Sequence, residues 1–385
     1  MKIEGEWLSR SETQDVLSAL ASDGHAALVV GGCVRNSILN MPVTDVDIAT
    51  DATPETVVSL AGWAGLKAVP TGIEHGTVTI VANGIPHEVT TFRRDVETFG
   101  RHATVAFSTD VSEDAARRDF TMNALYATAL GEVVDPLNGL PDLLARRVRF
   151  VGDPEARIAE DYLRILRFFR FHAWYADPEA GIDAEGLAAC ARYCAEIETL
   201  SRERIGAEMR KLLSAPDPSV AVSAMAQAGV LAQVLPGSDP RALRVLVHLE
   251  KNDPPRWLRR LAVLGGDDLP ERLRLSRAEA GALAALKDGL TSGAGPLELG
   301  YRYGFDTGSD IVLAQAAMSG SAPAPDWADS IVTGSTAKFP VSAADLMPAL
   351  TGPALGARLA ELEQLWIASG FRLSRGELLG GSQAV

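Results

Sequence analysis

The 385-residue sequence is poor in cysteine, in long apolar runs and in positive charge, and each shortage excludes a class of protein. Its three cysteines, Cys33, Cys190 and Cys194, contain no Cys-x-x-Cys, which argues against a disulfide framework or a cysteine zinc site and favours a reducing compartment. No run approaches the roughly 18 apolar residues of a membrane span, and the N-terminus lacks the apolar core of a signal peptide. We therefore expect a soluble, cytoplasmic protein with no membrane partner.

The net charge of −14 argues against a general nucleic-acid coat, because such proteins are usually basic. A negative net charge is still compatible with a local basic groove. Apolar residues make up 47% of the chain, which is enough for substantial cores in two or three domains.

Helix and strand signals alternate over the first 155 residues, and helical periodicity dominates from Glu155 onward. This order predicts an α+β protein whose N-terminal head carries a small sheet and whose remainder is all-helical. One polar segment of the head, from Arg94 to about Ser112, shows no clear period and is long for a loop in a compact domain.

The stretch "LVVGGCVRNSILNMPVTDVDIAT", residues 28–50, contains an Asp-x-Asp on a predicted strand. Residues two apart on a strand point the same way, so Asp45 and Asp47 should share one face while Val46 and Ile48 enter the core. Two adjacent carboxylates repel each other unless a cation lies between them, and Mg²⁺ takes carboxylates together with water and phosphate oxygens. Metal ions held in this way can activate an attacking hydroxyl and stabilise a leaving pyrophosphate.

A glycine turn precedes this acidic pair. Gly31 and Gly32 would let the backbone approach a phosphate, and a helix beginning near Val34 would present free N–H groups to it. Arg35, in the first turn of that helix, could clamp the same triphosphate.

These residues resemble the opening motif of the class II template-independent nucleotidyltransferases, the tRNA CCA-adding enzymes and bacterial poly(A) polymerases. The family pattern is Gly-Gly-x-Val-Arg-Asp followed by Asp-x-Asp, and this chain has Asn36 in place of the first aspartate. The resemblance continues in "TGIEHGTVTI", "HEVTTFRRD", "EDAARRDFTMNALYA", "DPLNGLPDLLARRVRFVGDPEARIAEDYLRILRFFRF" and "SRERIGAEMRKLL", and it weakens beyond Leu213.

The resemblance implies a polymerase-β-like catalytic head at residues 1–155, a helical neck that selects the nucleobase at 156–215, and a helical body and tail that bind tRNA at 216–385. It implies Mg²⁺-dependent addition of CCA to the tRNA 3′ end from CTP and ATP, with release of pyrophosphate. Asp45 and Asp47 would be catalytic metal ligands, with Glu88 a further candidate.

The resemblance also implies nucleotide-binding roles for residues outside the opening motif. Arg118 would contact the nucleotide, while Asp119 and Asn123 would hold the sugar or brace the site. Asp161 and Arg164, three apart and therefore neighbours on one helical face, would read the pairing edge of cytosine or adenine, both of which present an amine beside an acceptor nitrogen. Arg167 and Arg170 would serve the triphosphate or the surroundings of the base.

Other interpretations remain open at this stage. A poly(A) polymerase would share every head motif, although such relatives often end in a basic tail and this chain ends "GELLGGSQAV". A catalytically silent RNA-binding protein could share the scaffold. The arginines of "DPRALRVLVHLEKNDPPRWLRRLAVL" are either RNA phosphate contacts or solvated helix faces. The polar segment after Arg93 resembles the family's flexible segment linked to the switch from C to A addition, and no phosphohydrolase domain is expected.

Overall fold

The computed structural model describes residues 1–99, 102–251 and 253–380. It divides into two compact units, Met1–Pro236 and Gly237–Val385. The first unit contains both helices and strands and the second is helical, so the predicted α+β class is confirmed. In the described part of the chain, no helix is both long and apolar enough to cross a bilayer.

The helices of the first unit are α1 (Glu6–Ser9), α2 (Ser11–Ala21), α3 (Gly32–Ile38), α4 (Pro54–Trp63), α5 (Val111–Ala116), α6 (Leu140–Leu144), α7 (Pro154–Glu160), α8 (Leu163–Tyr175), α9 (Ala184–Arg192), α10 (Arg202–Leu213), α11 (Ser219–Gln227) and α12 (Val230–Val234). Its strands are β1 (Ala27–Val30), β2 (Asp47–Thr50), β3 (Lys67–Gly72), β4 (Thr77–Ala82), β5 (Ile85–Thr91), β6 (Arg93–Phe99), β7 (His102–Phe107), β8 (Tyr126–Ala127) and β9 (Val133–Val134).

One mixed sheet organises the first unit. Among the described residues it has seven strands in the order β3-β4-β5-β2-β1-β8-β9, and β2 runs parallel to β5 while the other pairs are antiparallel. The β4–β5 hairpin turns at Asn83 and Gly84, which both have positive φ, as the Asn-Gly pair predicts. Helices α2 and α4 pack against each other and against this sheet.

The predicted alternation of burial around the Asp-x-Asp is confirmed: Val46 and Ile48 are buried, whereas Asp45 and Asp47 are exposed. The strand itself is shorter than predicted, because β2 begins at Asp47 and Asp45 precedes it in the connecting loop. Strand β2 lies at the centre of the sheet between β1 and β5, so Asp47 is presented from a rigid element.

The structure corrects the prediction of an irregular segment after Arg93. Strands β6 and β7 pair antiparallel into a two-stranded sheet, with Arg93 opposite Phe107 and Phe99 opposite His102. Gly100 and Arg101, which lie between these strands in the sequence, are outside the described residues. The sequence shows no clear strand alternation here, because the pairing of β6 with β7 has a register shift between Asp95 and Glu97.

The helices of the second unit are α13 (Arg241–Glu250), α14 (Trp257–Leu264), α15 (Leu269–Arg272), α16 (Arg277–Thr291), α17 (Pro296–Ser319), α18 (Trp327–Thr336), α19 (Gly352–Ala368) and α20 (Arg375–Gly380). Helix α17 packs against α13, α14, α16 and α18. A separate apolar cluster around Trp366 joins α19 to α20.

A buried ionic network joins α13, α14 and α17. Glu250 is 2% exposed and accepts from Arg259 Nη2 and Arg260 Nη2, both at 2.7 Å. Arg259 Nη1 also donates to Asp310 at 2.9 Å, and Arg256 reaches the other Asp310 oxygen at 3.1 Å. Because buried charges are tolerated only when paired and hydrogen-bonded, this network fixes the packing of the three helices.

Replacement of Glu250 by glutamine should lower the free energy of unfolding of the second unit by about 3–5 kcal/mol, because two buried guanidinium groups would lose their shared carboxylate. Hydrogen exchange of the α14 amides in increasing urea would measure the loss. Asp239→Asn, which removes the exposed pair with Arg241, is the matched control and should change little. Equal protection of α14 in Glu250→Gln and the parent would contradict the assignment.

Candidate active site

A glycine turn connects β1 to α3. Gly31 is the N-cap of α3 with φ of +73°, and its N–H donates to the Leu125 carbonyl at 3.0 Å. The positive φ is what requires glycine here, because a Cβ at this position would lie 3.5 Å from Nη1 of Arg118, an ordinary packing distance. The turn thus places Gly31 beside Arg118, and binding of phosphate by Gly31 and Gly32 stays a prediction.

Three carboxylates approach each other at the centre of the sheet. Asp47 is directly opposite Glu88 in the parallel β2–β5 pair, and Asp45 is two residues upstream of Asp47. Desolvation raises the pKa of Asp47, the negative charges of Glu88 and Asp45 raise it further, and the Arg118 cation opposes them. A divalent cation would relieve this repulsion.

These carboxylates fit a hard metal ion that takes most of its ligands from water and substrate rather than from the protein. Across the described ranges, no group of three or more His, Cys, Asp or Glu side chains is arranged to hold a metal. Two exposed carboxylates at the start of one strand suit Mg²⁺, which usually takes one or two protein carboxylates together with waters and substrate phosphates. Glu88 as a third ligand stays a prediction.

The structure corrects the placement of Arg35. Its side chain is not open to a triphosphate, because Arg35 is 6% exposed and its guanidinium lies 4.0 Å from the Tyr175 ring centroid and 5.2 Å from that of Phe171. It donates to Asn123 Oδ1 at 2.6 Å, to the Tyr175 hydroxyl at 2.8 Å and to Asn36 Oδ1 at 2.9 Å. In this geometry Arg35 braces the site from within.

Arg118 is held by partners that the sequence interpretation missed. Asp114 accepts from Arg118 Nη2 at 2.9 Å and from the Tyr126 hydroxyl at 2.7 Å, and Tyr126 in turn accepts from Arg118 Nε at 3.0 Å. Asp114 also binds Arg117. Although desolvation raises the pKa of Asp114, the Arg118 and Arg117 cations lower it overall. The spacing of four residues between Asp114 and Arg118 was the signal available in the sequence.

Asp119 and Asn123 brace the site. Asp119 accepts from Arg167, from Asn123 Nδ2 at 3.2 Å and from the Phe120 N–H at 2.9 Å. Desolvation raises the pKa of Asp119, but the Arg167 cation and these hydrogen bonds lower it overall. Of the two alternatives predicted for this pair, the contacts support bracing, and the sugar contact stays a prediction.

The structure corrects the expected helical face shared by Asp161 and Arg164. Asp161 is extended, with φ −155° and ψ 106°, and separates α7 from α8. Its Oδ2 accepts from Arg204 Nη2 at 2.6 Å, while Arg164 pairs with Glu160 and donates to the Arg157 carbonyl at 2.7 Å. The two residues therefore do not share a helical face, because Asp161 lies in the break between α7 and α8 while Arg164 lies in the first turn of α8.

Arg170 points to a different partner. Its Nε donates to Glu208 Oε2 of α10 at 2.5 Å, and its guanidinium lies 4.7 Å from the centroid of the Phe171 ring. Arg204 and Glu208, which hold Asp161 and Arg170, both belong to α10. Sequence spacing gave no signal for either contact, because each joins positions about 40 residues apart.

A sheet that carries neighbouring carboxylates close to Arg118, followed by helices, fits a nucleotidyltransferase. The family model "Poly A polymerase head domain" matches residues 27–149, and "Probable RNA and SrmB-binding site of polymerase A" matches residues 181–241. The CCA tRNA nucleotidyltransferase 1 (mitochondrial) of Mus musculus is 32% identical over 93% of this chain and 87% of its own length. The chain belongs to the family of CCA-adding tRNA nucleotidyltransferases, so the resemblance is confirmed.

Two further relatives are also CCA-adding enzymes. The CCA-adding enzyme of Leuconostoc citreum is 37% identical over 66% of this chain, and the match spans 63% of that enzyme, which is less than two thirds of its length. The crystal structure of the Bacillus stearothermophilus CCA-adding enzyme in complex with CTP superposes with a TM-score of 0.74 at 27% identity, covering 93% of this chain and 92% of that one.

The carboxylate cluster makes a prediction that does not need an activity assay. Asp47→Asn should raise the Tm in EDTA by about 1–3 °C, because like charges that face each other across strands cost about 0.2–1 kcal/mol. Addition of Mg²⁺ should raise the Tm of the parent more than that of the variant. Calorimetry would measure both effects, with the exposed Asp23→Asn as control. Identical melting of Asp47→Asn and the parent, with and without Mg²⁺, would contradict the site.

Proposed function

We propose that this protein adds CCA to the 3′ end of tRNA, using CTP and ATP and releasing pyrophosphate. Support comes from membership of the CCA-adding family and from the fold shared with a relative crystallised with CTP. The observation that carries the proposal is the pair Asp45 and Asp47 at the start of the central strand β2, close to the glycine turn and to Arg118.

The chemistry divides among the residues of the first unit. Asp45 and Asp47 would hold Mg²⁺, which when bound neutralises charge on the triphosphate and favours ionisation of the RNA 3′-hydroxyl. Arg118, oriented by Asp114 and Tyr126, would bind phosphate or sugar oxygens of the nucleotide. Positioning and charge neutralisation account for most of such catalysis, which explains why the site needs rigid bracing.

Base selection would fall to Asp161 and Arg164. Asp161 can accept from an exocyclic amine and Arg164 can donate to a ring acceptor, a combination that suits cytosine and adenine but not uracil or guanine. Each already has an internal partner, Arg204 for Asp161 and Glu160 for Arg164. Since guanidinium and carboxylate groups accommodate several hydrogen bonds at once, these partners orient the pair and leave capacity for a base.

The second unit contains arginines that are candidates for RNA contact, and their exposure shows which of them are accessible. Arg241 and Arg244 on α13 are exposed, whereas Arg259 and Arg260 on α14 are buried in the ionic network. The buried two therefore stabilise the fold, and the exposed two are our candidates for tRNA phosphates. The division into head (1–155), neck (156–215) and body with tail (216–385), and a cytoplasmic location, remain part of this proposal.

Poly(A) addition is the second candidate, because the matching head model is described for a poly(A) polymerase. Purified protein with Mg²⁺, CTP, ATP and a tRNA lacking CCA should add three nucleotides. A long A tract would instead favour the second candidate, and no extension would favour a silent RNA-binding protein.

The same assay tests the acidic pair. Asp45→Ala and Asp47→Ala should each lower the rate at least about a hundredfold, since the metal supplies several kcal/mol of charge stabilisation. Asp23→Ala, an exposed carboxylate after α2, serves as the matched control and should keep the parental rate. Extension at the parental rate by a folded double variant would overturn the proposal.

The bracing of Arg118 gives an independent binding prediction. Asp114→Asn should weaken CTP affinity about ten- to a hundredfold, because it removes charge-assisted hydrogen bonds worth about 1.5–3 kcal/mol that orient the guanidinium. Isothermal titration would measure the change, with the neighbouring Glu113→Gln as control. Unchanged CTP affinity in the folded Asp114→Asn variant would show that the orientation of Arg118 does not matter for the nucleotide.

A further inference from the structure

Asn36 is the position at which this chain departs from the family motif, and its side chain makes contacts on both sides. Its Oδ1 accepts from Arg35 Nε at 3.1 Å and from Arg35 Nη2 at 2.9 Å. Its Nδ2 donates to the Pro42 carbonyl at 2.8 Å. One amide thus joins a buried cation to the loop that leads into β2.

The two contacts fix which way the amide points. A guanidinium only donates and a carbonyl only accepts, so the amide oxygen must face Arg35 and the amide nitrogen must face Pro42. An aspartate could accept from Arg35 in the same way. It has no donor for the Pro42 carbonyl and would place negative charge against that oxygen.

The acceptor side of Asn36 is anchored firmly. Arg35 is almost fully buried and is held by Asn123 Oδ1 at 2.6 Å and by the Tyr175 hydroxyl at 2.8 Å. Asn123 donates to Asp119, which also accepts from Arg167. Asn36 therefore ends a chain of hydrogen bonds that begins on helix α8.

The donor side of Asn36 reaches the acidic pair. The Asn36 carbonyl accepts from the Met41 N–H at 2.8 Å, next to the contact of its side chain with Pro42. Pro42 is three residues before Asp45, and β2 begins at Asp47. The loop from Asn40 to Val46 is thus tied to α3 at its start, and the side-chain bond is the tie nearest Asp45.

We propose that Asn36 is a positioning residue for the acidic pair: its amide nitrogen fixes the Pro42 carbonyl and with it the loop that carries Asp45. The role in metal binding rests on the proposed function, and the role in holding the loop does not. Arg35 and Asn36 together couple the bracing of the nucleotide cleft to the geometry of the metal ligands.

Asn36→Asp is the decisive variant, because it keeps the acceptor for Arg35 and removes only the donor to Pro42. In metal-free protein, amide exchange of Met41, whose N–H donates to the Asn36 carbonyl beside the Pro42 contact, should rise about five- to tenfold once the side-chain tie is lost. Asn36→Ala should show the same increase. Asn83→Asp, which adds the same charge at an exposed turn, should leave exchange in this loop unchanged.

Metal binding gives the second measurement. The Mn²⁺ concentration at half-saturation, measured by electron paramagnetic resonance without substrate, should rise about tenfold in Asn36→Asp. Loss of a contact that supports metal ligands typically weakens metal affinity by about this factor. The Mg²⁺ midpoint for nucleotide addition should rise in parallel, while kcat at saturating Mg²⁺ changes by less than about twofold. A fold defect alone would instead lower kcat at every Mg²⁺ concentration.

The possible failures are distinguishable. Parental exchange of the Met41 amide in both folded Asn36 variants would overturn the proposal, whatever the enzyme does with nucleotides. Faster exchange with an unchanged Mn²⁺ midpoint would also overturn it, because the loop would then not position the ligands. A parent protein that adds no nucleotide would reject the proposed function and leave the exchange result valid.

Discussion

Arg35 is the constraint around which the first unit is arranged. A guanidinium removed from water is tolerated only if its donors are met and its charge is compensated. Here the donors are met by three neutral side chains, Asn36 from α3, Asn123 from the segment after Arg118 and Tyr175 from the end of α8, and Asp119 contributes a favourable negative charge. Since each segment must be in place for the cation to be buried, the glycine turn and the helix after Asp161 are positioned by the same group.

This arrangement separates two kinds of charge in the cleft. The cations at Arg118, Arg167 and Arg170 are each paired with a carboxylate, at Asp114, Asp119 and Glu208 respectively. Within the described ranges, Asp45, Asp47 and Glu88 form no salt bridge, and the charges of Glu88 and Asp45 help to raise the pKa of Asp47. Because the paired arginines are already held in place, they lose little further conformational entropy when a nucleotide binds. The unpaired carboxylates repel one another, and a bound cation would relieve that repulsion. Orientation and attraction thus come from different residues.

Sequence patterns predicted the features that depend on local periodicity. The alternation around Asp45 and Asp47 follows from the geometry of a strand, and the hairpin at Asn83 and Gly84 follows from turn chemistry. The α+β class was predicted from the order of helices and strands. Motif resemblance supplied the arginines and the acidic pair without any geometry.

The remaining features depend on contacts between distant positions. The burial of Arg35 requires Tyr175, which is 140 residues away, and no local pattern reports it. The interpretation of Asp161 and Arg164 assumed an unbroken helix, and the chain leaves the helix at Asp161 because that residue turns to accept from the Leu163 N–H and from Arg204. An extended residue between two helices cannot follow the helical period. The hairpin of β6 and β7 was missed because its register shift removes the alternation that reveals a strand.

The break at Asp161 bears directly on how a base could be read without a template. On a continuous helix, Asp161 and Arg164 would move together as one face. Instead Asp161 is held by Arg204 from α10, and Arg164 is held by Glu160 from the end of α7, so their separation depends on how three helices pack. A base with a different pairing edge would place an acceptor opposite Asp161 or a donor opposite Arg164. The half-buried group would then lack a hydrogen bond, which costs about 1–3 kcal/mol. Discrimination of this kind improves as the two groups become less free to move. If Asp161 and Arg164 select the base, as we propose, the packing of α10 against α8 contributes to that selection as much as the two side chains themselves.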